Sequence, residues 1–273
     1  DMKKITLAIV TSFLGITNEY SAVCEYKFDA TSEQVIAINQ QPGNPQALDS
    51  LTIGRFPQQS GSKVSFKLTD SNTAFMAFNS KQTNALKDIL AGNAIAAVGD
   101  QIIPSTGIVA FELNFKVPKS LKGKGKLLSF PIMISGKSQD NKLTSIYILY
   151  MNNPDETNTT NFLGAFFQHG SSAITPENFS SPLDVQNTLD GYQRMGIYIN
   201  QSTNQVGLIF NHQNYGYIGT LPSKLDNLFF MIPVVYGNIA ASDLNQEVSI
   251  ELVTDKSKFK NTYPTGTKDI CGN

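Results

Sequence analysis

The chain has 273 residues, 41% of them hydrophobic and 16% charged, with 21 Lys and Arg against 22 Asp and Glu and a net charge of −1. A near-neutral chain without a basic run has no electrostatic footprint for nucleic acid or an anionic membrane surface, and its Gly, Pro, Asn, Ser and Thr suit short strands and polar turns better than amphipathic helices. Two Cys and two His, without Cys-x-x-Cys or His-x-x-x-His spacing, argue against a zinc or haem site, and no cofactor is expected.

Residues 1–22, DMKKITLAIVTSFLGITNEYSA, carry Lys3 and Lys4, an apolar core from Ile5 to about Ile16, and a polar end at Ser21 and Ala22. That is the three-part order of a secretory signal peptide, and the apolar core is too short for a comfortable membrane span. Cleavage after Ala22 leaves residues 23–273, read as a single domain that is secreted or periplasmic and has no membrane span; a short buried N-terminal strand is the alternative. Losing the leader removes Lys3 and Lys4 but also Asp1 and Glu19, so the net charge stays at −1. Cys24 and Cys271 then lie at the two ends of the mature chain. In an oxidising compartment they would most simply form a disulfide, two free buried thiols being the alternative.

EYKFDA (25–30) reads as a strand, and TSEQVIAINQ (31–40) as a short helix with Thr31 or Ser32 as N-cap. A Pro/Gly loop follows, then SKVSFKLT (62–69), where Val64, Phe66 and Leu68 face one way and Lys63, Ser65 and Lys67 the other. TNALKDILAG (83–92) has helical spacing and a Gly where a helix would stop. In GIVAFELNFKV (107–117), Val109, Phe111, Leu113 and Phe115 form an apolar face, with Glu112, Asn114 and Lys116 opposite. LLSFPIMIS (127–135) and LTSIYILYM (143–151) are apolar on both faces, as central strands of stacked sheets are. Further strands are expected at FLGAFFQ, RMGIYIN, QVGLIFN, LFFMIPVVYG and EVSIELVT. With about ten to twelve strands and no linker or repeat, the expectation is an all-β, two-sheet antiparallel jelly-roll sandwich with one or two short helices.

The stretch 195–219, MGIYINQSTNQVGLIFNHQNYGYIG, should bury Ile197, Ile199, Val206, Leu208 and Phe210, with Tyr198, Asn200 and Asn211 on the other face. His212, Asn214, Tyr215 and Tyr217 make a polar aromatic cluster able to stack on sugar rings and bond hydroxyls. Together with Tyr198 and Asn211 they are the candidate ligand-binding residues; a solvated sheet rim is the alternative.

The order GIYINQSTNQVGLIFN, then NYGYIGTLPSKLDNLFFMIPVVYG, resembles the C-terminal half of concanavalin A-like jelly rolls, particularly the SPRY and laminin-G-like members. The matching elements are Gly196 to Asn200, Gln205 to Asn211 and Leu228 to Gly237, and GIVAFELNFKVP with LLSFPIMIS resembles an earlier strand pair of that superfamily. As a whole the chain resembles secreted bacterial proteins of unknown function. The resemblance implies glycan binding, glycan cleavage or protein recognition, with a glycan or a surface protein as partner.

Glucanases of that superfamily carry Glu-x-Asp-x-x-Glu on one strand, and no such motif occurs here. The nearest carboxylates, Glu112 and the evenly spaced Glu247 and Glu251, read as solvated strand residues. His169 stands beside Ser171 and Ser172 without a nucleophile elbow. Asn152, Asn153, Asp155 and Glu156, in the loop 151–161, offer oxygens that would suit calcium, but Asn-Pro-Asp is first a turn sequence, and no metal is assigned. The expected function is therefore a secreted, non-catalytic protein that binds a glycan or cell-surface partner. An adhesive surface protein and a glycan-cleaving enzyme are the alternatives.

Overall fold

The computed structural model describes residues 22–39, 57–71, 73–92, 99–118, 127–152, 161–177 and 183–273. Residues 1–21 and most of the loop 151–161 lie outside this set, and with them the leader and the oxygen ligands Asn153, Asp155 and Glu156.

Sixteen strands and two helices are defined among the described residues. The front sheet runs in the order β1 (Gln58–Ser60), β2 (Lys63–Lys67), β15 (Glu247–Val253), β5 (Ile108–Lys116), β11 (Tyr192–Asn200), β12 (Gln205–Phe210), β13 (Gln213–Thr220). The back sheet runs β10 (Leu183–Asp184), β8 (Asn161–His169), β7 (Leu143–Asn152), β6 (Leu127–Lys137), β14 (Asn227–Gly237), β3 (Thr73–Phe78). Along both paths the pairing is antiparallel, the arrangement of a two-sheet jelly-roll sandwich. Three short strands flank them: β4 (Gln101–Ile102) pairs with β14, β9 (Ser172–Ile174) with β8, and β16 (Lys268–Asp269) runs parallel to β5. The count exceeds the ten to twelve expected because several strands have only two or three residues, and because β3 and β13 lack a clean apolar alternation.

The inner faces of the two sheets enclose the main core, which includes Val64, Phe66, Phe111, Phe115, Ile197, Ile199, Val206, Leu208 and Phe210, all buried. Each sheet's outer face is partly covered by a different element. Helices α1 (Ser32–Asn39) and α2 (Thr83–Leu90) contribute Val35, Ile38 and Leu86 to a second cluster that meets Phe78 of β3 and Phe229 of β14. Thr31 caps α1 as a capping box: Gln34 N donates to its Oγ1 (3.3 Å), and Thr31 N donates to Gln34 Oε1 (2.9 Å). On the front sheet the cover is the C-terminal segment 254–273, here called the strap.

Residues 25–30 do not form the expected strand. Tyr26, Phe28 and Ala30 are buried and Glu25, Lys27 and Asp29 exposed, so the alternation is real, but the backbone bonds go to three different places. Tyr26 N donates to Thr254 Oγ1 (3.1 Å), Phe28 N to Gly61 O (2.9 Å) and Ala30 N to Phe78 O (3.1 Å). The segment bridges the two sheets instead of joining a ladder. Its neighbour Cys24 is disulfide-bonded to Cys271, 247 residues away, with Cα atoms 5.8 Å apart. In the chain-entropy account, closing so long a loop stabilises by up to about 5 kcal/mol.

Tyr26 also donates its hydroxyl to Asp100 (2.8 Å) while accepting from Phe230 N (3.2 Å). Burial pushes the Asp100 carboxyl up to about 6, from an ordinary value of 3.8. A folded value above the unfolded one means that the stability gained from the protonated form is complete below about pH 4 and lost as pH rises through about 6. Asp100→Asn keeps the acceptor for Tyr26 and removes the buried charge. Its melting temperature should exceed that of the native protein at pH 7.5, and thermal melts across pH should show the gap closing by pH 4; a constant gap would contradict this.

Candidate functional site

On β5 the side chains facing away from the core are Ile108, Ala110, Glu112, Asn114 and Lys116. Glu112 is fully buried, not solvated as the alternation suggested. Its carboxylate accepts from Lys260 N (3.0 and 2.9 Å, one to each oxygen), from Asn261 N (2.7 Å) and from the Tyr263 hydroxyl (3.1 Å). All three donors belong to the strap. A carboxylate in so dry a place persists only when fixed donors replace its water, and two backbone amides and a phenol do that here. Burial, and then the neighbouring Glu112, push the Tyr263 phenol well above its usual range.

The strap is held at each end. At one end Thr254 Oγ1 accepts from Tyr26 N (3.1 Å) and donates to Cys24 O (2.8 Å); at the other, β16 pairs with β5, and its buried Asp269 accepts from Cys271 N and Asn273 N (3.0 Å each) beside the disulfide. Between these anchors, Phe259 and Tyr263 pack with Tyr198, Ala110, Ile209, Ile108 and Tyr217 in a small outer cluster. The ring centroids lie 5.4 Å apart for Tyr198 and Tyr217, 6.1 Å for Tyr198 and Tyr263, and 5.2 Å for Phe259 and Tyr263. Two strand glycines make room: a Cβ on Gly196 would collide with the Tyr263 hydroxyl, and one on Gly207 with the Tyr198 ring.

The structure brings together only part of the expected ligand-binding set. Tyr198 is buried and donates to Asn214 Oδ1 (3.2 Å); Tyr217 is half-buried and accepts from Asn200 Nδ2 (3.2 Å). Tyr215 does not join them, because the irregular register of β12 with β13 turns it toward the main core. Asn211 and His212, at φ 46° and 70°, are the two central residues of the β12–β13 turn, the conformation that a two-residue hairpin demands. Asn211 spends its side chain within the protein: Nδ2 donates to Gln193 Oε1 (2.9 Å) and Gln186 Oε1 (3.1 Å), and Oδ1 accepts from Arg194 N (2.8 Å). His212 is exposed at the tip. Phe259 and Tyr263, which complete the aromatic surface, were not singled out from the sequence. The signal that could have found them is their four-residue spacing in an otherwise polar segment, together with mid-strand glycines on the face they cover.

The other candidates are also placed. Glu247 and Glu251 share a face of β15 four residues apart, about 13 Å at the usual strand rise. His169 does not engage Ser171 or Ser172, which are exposed; its Nε2 meets Asp140 (2.9 Å) and its Nδ1 meets Thr144 (2.8 Å). Hydrogen bonding from Ser138, then His169, lowers the Asp140 carboxyl below its ordinary value. Thr144 is buried, so this arrangement ties two turns together without presenting a nucleophile. Among the described residues the only grouping of three potential metal ligands is Asp269 with the two disulfide sulfurs, which as a disulfide offer no thiolate.

A jelly-roll sandwich whose central front-sheet carboxylate is sealed by a C-terminal strap is thus the class of protein that fold and site define. The chain belongs to the family described as a domain of unknown function, DUF4882, whose model matches residues 3–273. No curated protein matches it. Among solved structures it is similar to an endo-1,3-beta-glucanase from Streptomyces sioyaensis, at 11% identity over 84% of this chain and 87% of that one, with a TM-score of 0.47. It is also similar to an alginate lyase from Pseudomonas aeruginosa (10% identity, 72% and 82% covered, TM-score 0.36). A third is the potassium-bound carbohydrate recognition domain of Emp46p (10%, 82% and 98%, 0.40). None of them supplies a residue role for this chain.

Glu112→Leu should lower unfolding stability by about 3 kcal/mol, since it strands two backbone amides and a phenol, and limited proteolysis should then cut near Lys256–Lys260. Glu112→Gln keeps an acceptor and should cost less. A Leu variant as stable and as protease-resistant as the native protein would contradict the anchoring role.

Proposed function

We propose that the protein is an exported, non-catalytic module that binds carbohydrate with the outer face of its front sheet. The strap is the observation that carries this reading. It occupies Glu112 at the centre of that face, and it adds Phe259 and Tyr263 to Tyr198 and Tyr217. The half-buried Tyr217 and Phe259 offer ring area for stacking, while Asn200 and Asn214 at its rim supply directional polar groups. Two-carboxylate glycoside chemistry needs carboxyl groups about 5 to 9.5 Å apart. Glu247 and Glu251 are too far apart along β15, and Glu112 has no free lone pair facing solvent. Export is supported by the leader-like residues 1–22 and by a disulfide between Cys24 and Cys271, a bond typical of oxidising compartments.

A second reading, an adhesive surface protein acting through protein contacts, is favoured by the outer face of the back sheet. There Phe166, on β8, stacks on Tyr147 at 4.4 Å and is 40% exposed, with Val235 of β14 exposed on the same face.

The test is a glycan-array screen of residues 23–273, followed by Tyr217→Ala and Phe259→Ala with thermal melts alongside. Each substitution should weaken glycan binding at least about fivefold, the loss of roughly 1 kcal/mol of stacking. No bound glycan, undiminished affinity in the double variant, or release of shortened products would overturn the proposal. Surface binding that survives both changes but is lost in Phe166→Ser would favour the second reading.

A further inference from the structure

A cleft of about 310 Å³ opens where β5 leaves the front sheet, beside the loop 185–193 and the start of β15. Its apolar side is formed by Val117, which is buried, with Pro118 and Val185, the latter packed against the main core. Lys116 and Glu247 line its rim. They are diagonal neighbours on one face, because Lys116 lies opposite Ser249 in the ladder. Neither is in an ion pair among the described residues, although Lys67 stands opposite Glu247 across the β2 ladder, so a cation and a carboxylate both line the same small space.

The wall is built in advance. Gln193, 1% exposed, accepts from Gln186 N (2.9 Å) and donates to Gln186 O (2.8 Å), and Asn211 bonds both glutamine side chains at once. Thr188 Oγ1 closes the loop onto Tyr192 O (2.7 Å). The exposed Gln186 has its Oε1 held by Asn211, which orients its Nε2 as a donor. A preformed concavity of this size, apolar with a few convergent polar groups, is the usual form of a small-ligand site.

We infer that this cleft binds one neutral, hydroxylated ring, the size and chemistry of a single uncharged sugar residue. A ligand with net charge would set its own charge against either Lys116 or Glu247. A neutral polyol meets both, donating hydroxyls to Glu247 and accepting from Lys116 and Gln186, while its C–H face lies on Val117, Pro118 and Val185. The choice of ligand class rests on the carbohydrate reading above; the location does not, since the cleft is separate from the Tyr217–Phe259 surface.

The experiment is saturation-transfer NMR of the 23–273 protein with methyl glycosides of glucose, galactose and mannose. Glucuronic acid and glucosamine serve as charged counterparts, and variants are checked by thermal melts. At least one neutral glycoside should show transfer, exceeding that of both charged sugars. Glu247→Ala should weaken it about tenfold, as loss of a charge-assisted hydrogen bond does. Val185→Phe, which fills the cleft at a partly exposed position, should abolish it, and the Tyr217→Ala, Phe259→Ala double variant should retain it. No transfer from any neutral glycoside, or transfer that survives both Val185→Phe and Glu247→Ala, would overturn the inference, and so would transfer lost only in the double variant. Glycan-array binding without cleft transfer would sink this inference and leave the aromatic-face reading standing; cleft transfer without array binding would do the reverse.

Discussion

A carboxylate buried in the middle of a sheet constrains everything laid over it. Glu112 sits on β5, with β15 and β11 on either side, and its oxygens are satisfied by Lys260 N, Asn261 N and the Tyr263 hydroxyl. Those donors reach it only if the strap crosses the sheet at one register. That register in turn sets Phe259 and Tyr263 beside Tyr198 and Tyr217, and it requires Gly196 to carry no side chain. The disulfide and Asp269 then pin the strap's far end against β5 through β16. Replacing the acid with a hydrophobic residue would suit burial but would not specify where the strap lies, which is the use that buried polar groups serve best.

The same interaction separates binding from hydrolysis in the proposed reading. On an open sheet face, Glu112 and Glu251 would be diagonal neighbours, close enough to resemble a catalytic pair. With Glu112 enclosed by the strap, only Glu251 stays partly exposed. The covering segment also converts a polar sheet face into a partly aromatic one, the kind of surface on which sugar rings stack. The cleft at Lys116 and Glu247 shares no lining residue with the Tyr217–Phe259 surface.

Much of the sandwich was legible because strand alternation is a local property. The apolar faces assigned to residues 62–69, 107–117 and 195–211 are the ones that line the main core, and both short helices lie where capping and spacing put them. Alternation reports which residues share a face; it does not report what a distant segment places on that face. For this reason Glu112 read as solvated, although its strand was assigned correctly. Residues 25–30 show the converse: they alternate like a strand because they cross between two packed sheets, yet they bond to three unrelated partners. Tyr215 and Tyr217 read as members of one polar aromatic cluster, and the irregular register of β12 with β13 separates them. Asn211 and His212 carry the chemistry of a binding pair, but their positive φ values show that the hairpin turn uses them first.

Glu112 fixes the strap, and amide hydrogen exchange at the two amides it holds is the direct test. Lys260 is exposed and lies in no strand, so its N–H has no ladder to protect it; its protection, like that of Asn261 N–H, comes from the carboxylate. Both amides should exchange as slowly as those of β5 and β11, in the same cooperative opening. Exchange of the two at the rate of an unprotected loop, while the front-sheet ladder stays protected, would contradict it.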